Sequence, residues 1–131
     1  PQAVIKAAEA GSALPQAVVD KAHSVVEAHY ASITKAHEAG VRIAMGTDAG
    51  VGPHGENLEE ISLLAGVGLS ATEALAAGTS VAAELLGHDN VGRIGEGALA
   101  DLVVVDGDLS TEDVRGVESR VNSVYLNGTL V

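Results

Sequence analysis

The spacing of apolar positions near the start of the chain predicts a long helix. Small or apolar residues and one histidine recur at spacings of three and four, as one face of an α-helix requires. These positions are Val18, Ala22, Val25, His29, Ile33 and Ala36. Pro15 suits the first turn of a helix, and Gly40 suits the left-handed conformation that ends one. The pattern therefore predicts a helix over residues 15–39, with His29 in the core.

The next segment predicts one strand and two further helices. Residues 41–45 are short and partly β-branched and run into a glycine-containing loop at residues 46–50, which is typical of a strand followed by a loop. Residues 57–65 alternate between an apolar and an acidic side, as a short amphipathic helix does. Ser70 and Glu73 have the spacing of a capping box, which predicts a helix over residues 71–86 that stops at Gly87.

Strands replace helices in the last third of the chain. Residues 102–105 form a short apolar run closed by Asp106 and Gly107, and residues 121–126 lead into Asn127 and Gly128, a strong signal for a two-residue hairpin. So few strands bury too little apolar area to be stable alone. A single strand between helices likewise leaves its amide groups unpaired. We therefore expect both parts of the chain to need partners outside these residues.

Composition excludes several classes of protein. With 131 residues, 47% of them hydrophobic and 19% charged, the chain is long enough for one globular domain. The formal charge of -11 would repel phosphate backbones, so we expect no nucleic-acid partner. Cysteine is absent, which excludes disulfides and zinc-thiolate sites. No apolar stretch approaches the roughly 18 residues of a membrane span, so we expect a soluble protein without a membrane partner. We also expect it to be cytoplasmic.

Asp48 is the first candidate for chemistry because it follows the predicted strand, where parallel α/β folds place their reactive groups. The glycines at 50, 52 and 55 allow the backbone to approach a ligand closely, and His54 and Asn57 add polar side chains. Asp48 and His54 are thus a candidate metal-binding or acid–base pair. From the local sequence alone, the alternative that Thr47 and Asp48 only shape a turn stays open.

Two other patterns are weaker. Residues 50–55 match G-x-G-x-x-G, but a carboxylate at Asp48 would repel a pyrophosphate and no second parallel strand follows, which disfavours a dinucleotide site. The histidines of the first helix, His23, His29 and His37, are separated by six and eight positions. They cannot form a tight pair of metal ligands on one helix face.

The segment 40–50, which ends in Gly-Thr-Asp-Ala-Gly, resembles the last barrel strand of the metal-dependent amidohydrolase superfamily. Residues 71–75, 84–87, 92–94 and 97–104 resemble that family's C-terminal signature in order and spacing. Pro53, His54, Gly55 and Asn57 after the aspartate are similar to the imidazolonepropionase-like and Xaa-Pro dipeptidase-like (prolidase-like) branch. Single pieces are common, but their combination is specific.

The resemblance implies an α/β fold: the last strand and helices of a (β/α)8 (TIM-type) barrel in residues 1–88, and part of a composite β-sandwich in residues 89–131. It places Asp48 at a centre of one or two divalent metals, usually zinc, as ligand and as general base and acid. It places Gly50, His54 and Asn57 near a substrate that is an amide, a dipeptide or an N-acyl amino acid.

The family's remaining ligands, among them a His-x-His pair and two later histidines, are absent from these residues. We therefore expect this chain to be inactive alone and to need the barrel strands of a longer parent chain or another subunit. A homo-oligomer is compatible with the sequence. Two alternatives stay open, namely a non-catalytic scaffold derived from the same fold and, third, a nucleotide-binding module.

Overall fold

The structure, a computed structural model, describes residues 5, 8, 9, 11, 13–47, 54–109 and 113–131. The helices come before the strands, in the order α1 Gln16–Glu38, α2 Glu59–Gly66, α3 Ala71–Ala77 and α4 Ser80–Leu85. These are followed by β1 Leu102–Val105, a 3-10 helix Val117–Arg120, β2 Val121–Leu126 and β3 Thr129–Leu130. The described residues thus form a helical layer and one small antiparallel sheet, which is only part of the barrel and sandwich that the sequence predicts.

The first helix is confirmed within one residue at each end. Pro15 precedes its first turn, and Gly40 follows it with φ +75°. The amide of Gly40 donates to the His37 carbonyl and that of Val41 to the Ala36 carbonyl, which satisfies the last turn. The prediction of a core histidine is wrong, because His29 is exposed and Ala22 is the residue of α1 that is buried.

The predicted helix over residues 71–86 is wrong in its continuity, because α3 and α4 are separate. Its capping box is confirmed: the Ser70 hydroxyl accepts from the Glu73 amide at 3.3 Å, and the Ser70 amide donates to the Glu73 carboxylate at 2.8 Å. The break falls at Gly78 and Thr79. Thr79 leaves the helical region with φ -127° and ψ -95°, and its hydroxyl donates to the Leu75 carbonyl at 2.7 Å. Such a back-bond competes with regular helix geometry.

The strand predicted over residues 41–45 is not formed in the structure. Instead, the Met45 amide of this segment donates a hydrogen bond to the Ala77 carbonyl at the end of α3, at 2.9 Å. The sheet formed by the described residues has the order β1-β2-β3 and does not include residues 41–47. A parallel strand needs a neighbour for its amide and carbonyl groups. The part of the chain that the structure describes provides none for this segment.

The C-terminal ribbon is confirmed. Strands β1 and β2 pair antiparallel with Val103 opposite Val124 and with an irregularity between Val104 and Val105. Strand β3 pairs with β2 through the predicted turn, in which Asn127 has φ +49° and Gly128 has φ +78°. The Gly128 amide donates to the Ala100 carbonyl at 2.9 Å, so the turn is also tied to the approach to β1.

The core lies between α2, α3 and the 3-10 helix. Its buried members are small or medium aliphatic residues, as expected for a chain without Phe or Trp: Ile61, Leu64, Val67, Leu69, Ala74, Ala77, Val114 and Val117. The Ser62 hydroxyl accepts from the Gly116 amide at 3.1 Å and so attaches the 3-10 helix to α2. The predicted division into residues 1–88 and 89–131 stays a prediction.

Candidate functional site

The structure describes two of the four predicted site residues. Asp48 and Gly50 lie outside the described residues, whereas His54 and Asn57 lie within them. Both described side chains are exposed and belong to the turns that lead into α2. Gly55 between them has φ +97°, a conformation that favours glycine. The structure therefore leaves His54 and Asn57 free to meet a ligand without assigning them one.

The segment that leads to Asp48 is held by the core. Ile43 and Met45, two positions apart, are both partly buried and pack against the core cluster. The Met45 amide donates to the Ala77 carbonyl at the end of α3, at 2.9 Å. Thr47, the last described residue before the candidate aspartate, is half-buried. The chain is thus anchored to α3 up to the residues just before Asp48.

The segment that follows the candidate site is held by the start of α2. The Asn57 carbonyl accepts from the Glu60 amide at 3.3 Å, and the Leu58 carbonyl accepts from the Ile61 amide at 3.1 Å. Leu58 packs against the core. Because the backbone of Asn57 takes part in the first turn of the helix, its exposed side chain projects from a fixed point.

Glu60 is the acidic group nearest to this segment with a resolved change in acidity. Its pKa is raised, mainly because partial burial disfavours the charged carboxylate. The charge of His29 acts in the opposite direction, and the neighbouring Glu59 adds to the rise. Partial burial and neighbouring charges are enough to explain this shift, so it does not identify Glu60 as a catalytic group.

A complete metal site is not formed by the residues that the structure describes. No group of three or more histidine, aspartate or glutamate side chains among them is close enough to hold an ion. His54 and a carboxylate at position 48 are donors of the kind that zinc binds, but two donors do not make a stable site. The described residues alone therefore do not fit a metal centre.

A shallow depression of about 230 Å³ lies at the other end of the segment 41–47. Two ion pairs border it, and neither involves a predicted site residue. The His37 Nε2 atom lies 3.3 Å from Glu73 Oε1, and Arg42 donates to both oxygens of Glu84 at 2.6 Å. Hydrogen bonds from the side chain and then the backbone of Ser70, followed by that of His37, lower the pKa of Glu73 to about 2. The His37–Glu73 pair links α1 to α3, and the Arg42–Glu84 pair links the segment 41–47 to α4. The partners are separated in sequence by 36 and 42 positions, so no local pattern could have indicated them.

The Arg42–Glu84 pair also changes the acidity of both partners. The hydrogen bonds and charge of Arg42 lower the pKa of Glu84, and those of Glu84 raise the pKa of Arg42. Both side chains are more than half exposed, so water screens the pair.

Within the described residues, no helix is long and apolar enough to cross a bilayer.

The whole sequence can be compared with the sequence patterns of known protein families. The sequence pattern of the amidohydrolase family matches residues 4–131. This chain belongs to the amidohydrolase family. The family assignment and the Xaa-Pro dipeptidase side of the resemblance are thereby confirmed, since solved structures of that kind are also similar. A search of curated proteins gives no match.

Three solved structures illustrate the similarity. A Xaa-Pro dipeptidase with bound methionine in the active site is 36% identical over 98% of this chain, with a TM-score of 0.81. A prolidase complexed with N-methylphosphonate-L-proline is 35% identical over 99%, also with a TM-score of 0.81. Ochratoxinase from A. niger is 26% identical over 98%, with a TM-score of 0.74. The amidohydrolase chain spans about a third of their lengths, 31%, 32% and 30% respectively.

Proposed function

We propose that this amidohydrolase chain forms part of a metal-dependent enzyme that hydrolyses an amide or peptide bond. The observation that carries the proposal is the family match over residues 4–131, together with solved relatives at 35–36% identity that include a Xaa-Pro dipeptidase and a prolidase. In this proposal the chain corresponds to the C-terminal part of a barrel and to part of a β-sandwich. The remaining barrel strands come from a longer parent chain or another subunit.

The proposed substrates are dipeptides or N-acyl amino acids, with proline-containing dipeptides first. Two of the similar structures support this class, one by its description as a Xaa-Pro dipeptidase and one by its proline-bearing ligand. His54 and Asn57 are the proposed substrate contacts within the described residues, because both are exposed beside Gly55 and have polar side chains. Gly50 is the proposed point of close backbone approach, in a loop that also contains Gly52.

Asp48 is the proposed catalytic residue and the one proposed metal ligand of this chain. Amide cleavage needs a proton at the leaving nitrogen, because an unprotonated amine leaves poorly. In the proposal, a carboxylate oxygen of Asp48 takes a proton from the attacking water and later gives it to that nitrogen. A divalent cation, which is usually zinc in this family, would polarise the scissile carbonyl group. Its other ligands come from outside this chain, since the described residues do not form a metal centre.

Replacement of Asp48 by Asn in the complete protein tests the proposal. The amide cannot act as a base, so kcat for methionyl-proline should fall by about 10²–10⁴-fold. Asp89→Asn is the matched control, because Asp89 is exposed and lies in a turn-rich segment far along the chain from the candidate site. Near-normal turnover of the Asp48 variant, with circular dichroism unchanged, would reject the assigned role.

Metal content distinguishes the enzyme from a non-catalytic scaffold. We expect the complete purified protein to retain close to stoichiometric zinc or a similar divalent ion when it is analysed by atomic emission. Chelation should abolish hydrolysis of methionyl-proline, and the added ion should restore it. A protein that is folded, retains no metal and has no metal-stimulated activity would favour the scaffold.

A further inference from the structure

The Met45 side chain lies close to Gly78 in the segment that leads to Asp48. A methyl group added at Gly78 would lie 3.1 Å from Met45 Cε and 3.2 Å from Met45 Sδ. These distances are shorter than comfortable van der Waals contact. The absence of a side chain at Gly78 therefore makes the space that the Met45 thioether occupies.

The backbone fixes the same pair from the other direction. The Met45 amide donates to the carbonyl of Ala77, the residue before Gly78, at 2.9 Å. Met45 is also packed against the core cluster. The residue is thus held at its amide by the end of α3, and its side chain packs against the core and lies close to Gly78.

Gly78 does not owe its identity to backbone conformation. Its φ is -89° and its ψ is -3°, in the right-handed helical region that any residue adopts. Many other glycines of the chain have positive φ, for which a backbone explanation suffices. At Gly78 the described environment supplies a different reason, which is the approach of Met45.

The position of this contact along the chain connects it to the candidate chemistry. Met45 precedes Asp48 by three residues, a length of chain that spans at most roughly 10 Å. Gly46 has no atom within 4 Å of an added methyl group, so it offers no lateral support of its own. The hydrogen bond and the packing of Met45 therefore hold the chain three residues before the aspartate.

We propose that Met45 and Gly78 are positioning residues, whose contact sets the placement of the segment that carries Asp48. Neither residue touches substrate in this proposal. The inference rests on the proposed function, because it assigns the two residues a purpose through the catalytic carboxylate. Displacements of a few tenths of an ångström at a catalytic group reduce rate, since misplacement by about 1 Å can cost about 10²-fold.

The substitution Gly78→Ala in the complete protein tests the contact directly. We expect kcat for methionyl-proline to fall on the order of fivefold with KM little changed, because the altered group acts on the reacting geometry rather than on binding. Gly66→Ala is the matched control. Gly66 is also a non-positive-φ glycine at a helix end, and an added methyl group there meets nothing within 4 Å. The inference is overturned if the two variants have equal kcat.

A second substitution separates positioning from general damage. Met45→Val removes Sδ and Cε, the two atoms that a methyl group at position 78 would meet. In the double variant the fall in kcat caused by Gly78→Ala should largely disappear relative to Met45→Val alone, which is non-additive behaviour between touching residues. Strictly additive effects would contradict a shared contact, even if each single variant were slow.

The control Asp48→Asn distinguishes the two failures. If that variant keeps normal turnover, the proposed function is wrong and the positioning inference loses its basis. If Asp48→Asn is inactive while Gly78→Ala matches Gly66→Ala, the proposed function stands and the positioning inference alone is wrong. Thermal unfolding midpoints of all variants should be compared, so that a fall in kcat is assigned to position and not to loss of folded protein.

Discussion

At the scale of single residues, Glu73 shows how one carboxylate joins two helices. It closes the capping box of α3 through Ser70 and also meets His37 of α1. These donors favour the ionised form, and they lower the pKa of Glu73 from 4.5 to about 2. Because the folded-state pKa lies below the unfolded one, the stabilisation is present above pH 4.5 and is lost as the pH falls toward 2.

The order of these causes makes a prediction. The side-chain hydrogen bond from Ser70 lowers the pKa of Glu73 more than the one from His37 does. Ser70→Ala, which removes the side-chain bond and keeps the backbone bond, should therefore raise that pKa more than His37→Gln. Carboxyl ¹³C titration by NMR measures both changes. The pKa of Glu84, which Arg42 lowers, should be the same in both variants and is the internal control. A larger rise with His37→Gln would reverse the assigned order.

At the scale of elements, short-range sequence signals predicted where helices begin and end better than whether a helix is continuous. Gly40 and the Ser70–Glu73 box gave the correct end of α1 and start of α3, because each acts through bonds within a few residues. The break at Thr79 was missed because residues 71–86 have good helical spacing, and the side-chain bond from Thr79 to Leu75 competes with it. The unformed strand at 41–45 depends on neighbours that no local pattern within the chain could supply.

The hairpin turn is the element whose sequence requirement can be tested most simply. Gly128 has φ +78°, where an alanine side chain costs about 1–2 kcal/mol. Gly128→Ala should therefore lower the urea concentration at the midpoint of unfolding. Asn127→Gly is the control. Asn127 is at φ +49°, which glycine adopts at least as easily, so the midpoint should change little. Equal loss in both variants would indicate that the turn conformation is not the cause.

At the scale of the whole molecule, the sequence predicted the family but not the site. Asp48 could be chosen because the order and spacing of residues 40–50 and 97–104 are specific in combination. His54 and Asn57 followed from their place in the same segment of sequence, and the described residues do not place their side chains in a group that could hold a metal ion. Metal ligands that belong to other strands leave no trace in this chain, so its residues could not indicate them.

The sheet leads to the last prediction. By the register of β1 and β2, Val103, Val124 and Leu126 share one face, and Val104 and Leu130 lie on the other. All five side chains are exposed, Leu126 and Leu130 each to 61%. A small sheet with apolar residues uncovered on both faces cannot reach independent stability by its own burial.

The 131 residues produced alone should therefore bind a hydrophobic dye such as ANS and should not hydrolyse methionyl-proline. Under the proposed function, the complete protein should exclude the dye and hydrolyse methionyl-proline, because in that proposal further segments cover both faces and provide the remaining metal ligands. Leu126→Lys in the isolated chain should reduce dye binding, since it removes an uncovered apolar side chain from one face. Exposed Leu86→Lys, which changes charge and hydrophobicity equally outside the sheet, is the control for the location of that effect. The opposite outcome is an isolated chain that is a monomer, unfolds cooperatively, excludes the dye and hydrolyses the dipeptide. That result would contradict the prediction, because it would show that the sheet and the site are complete without outside segments.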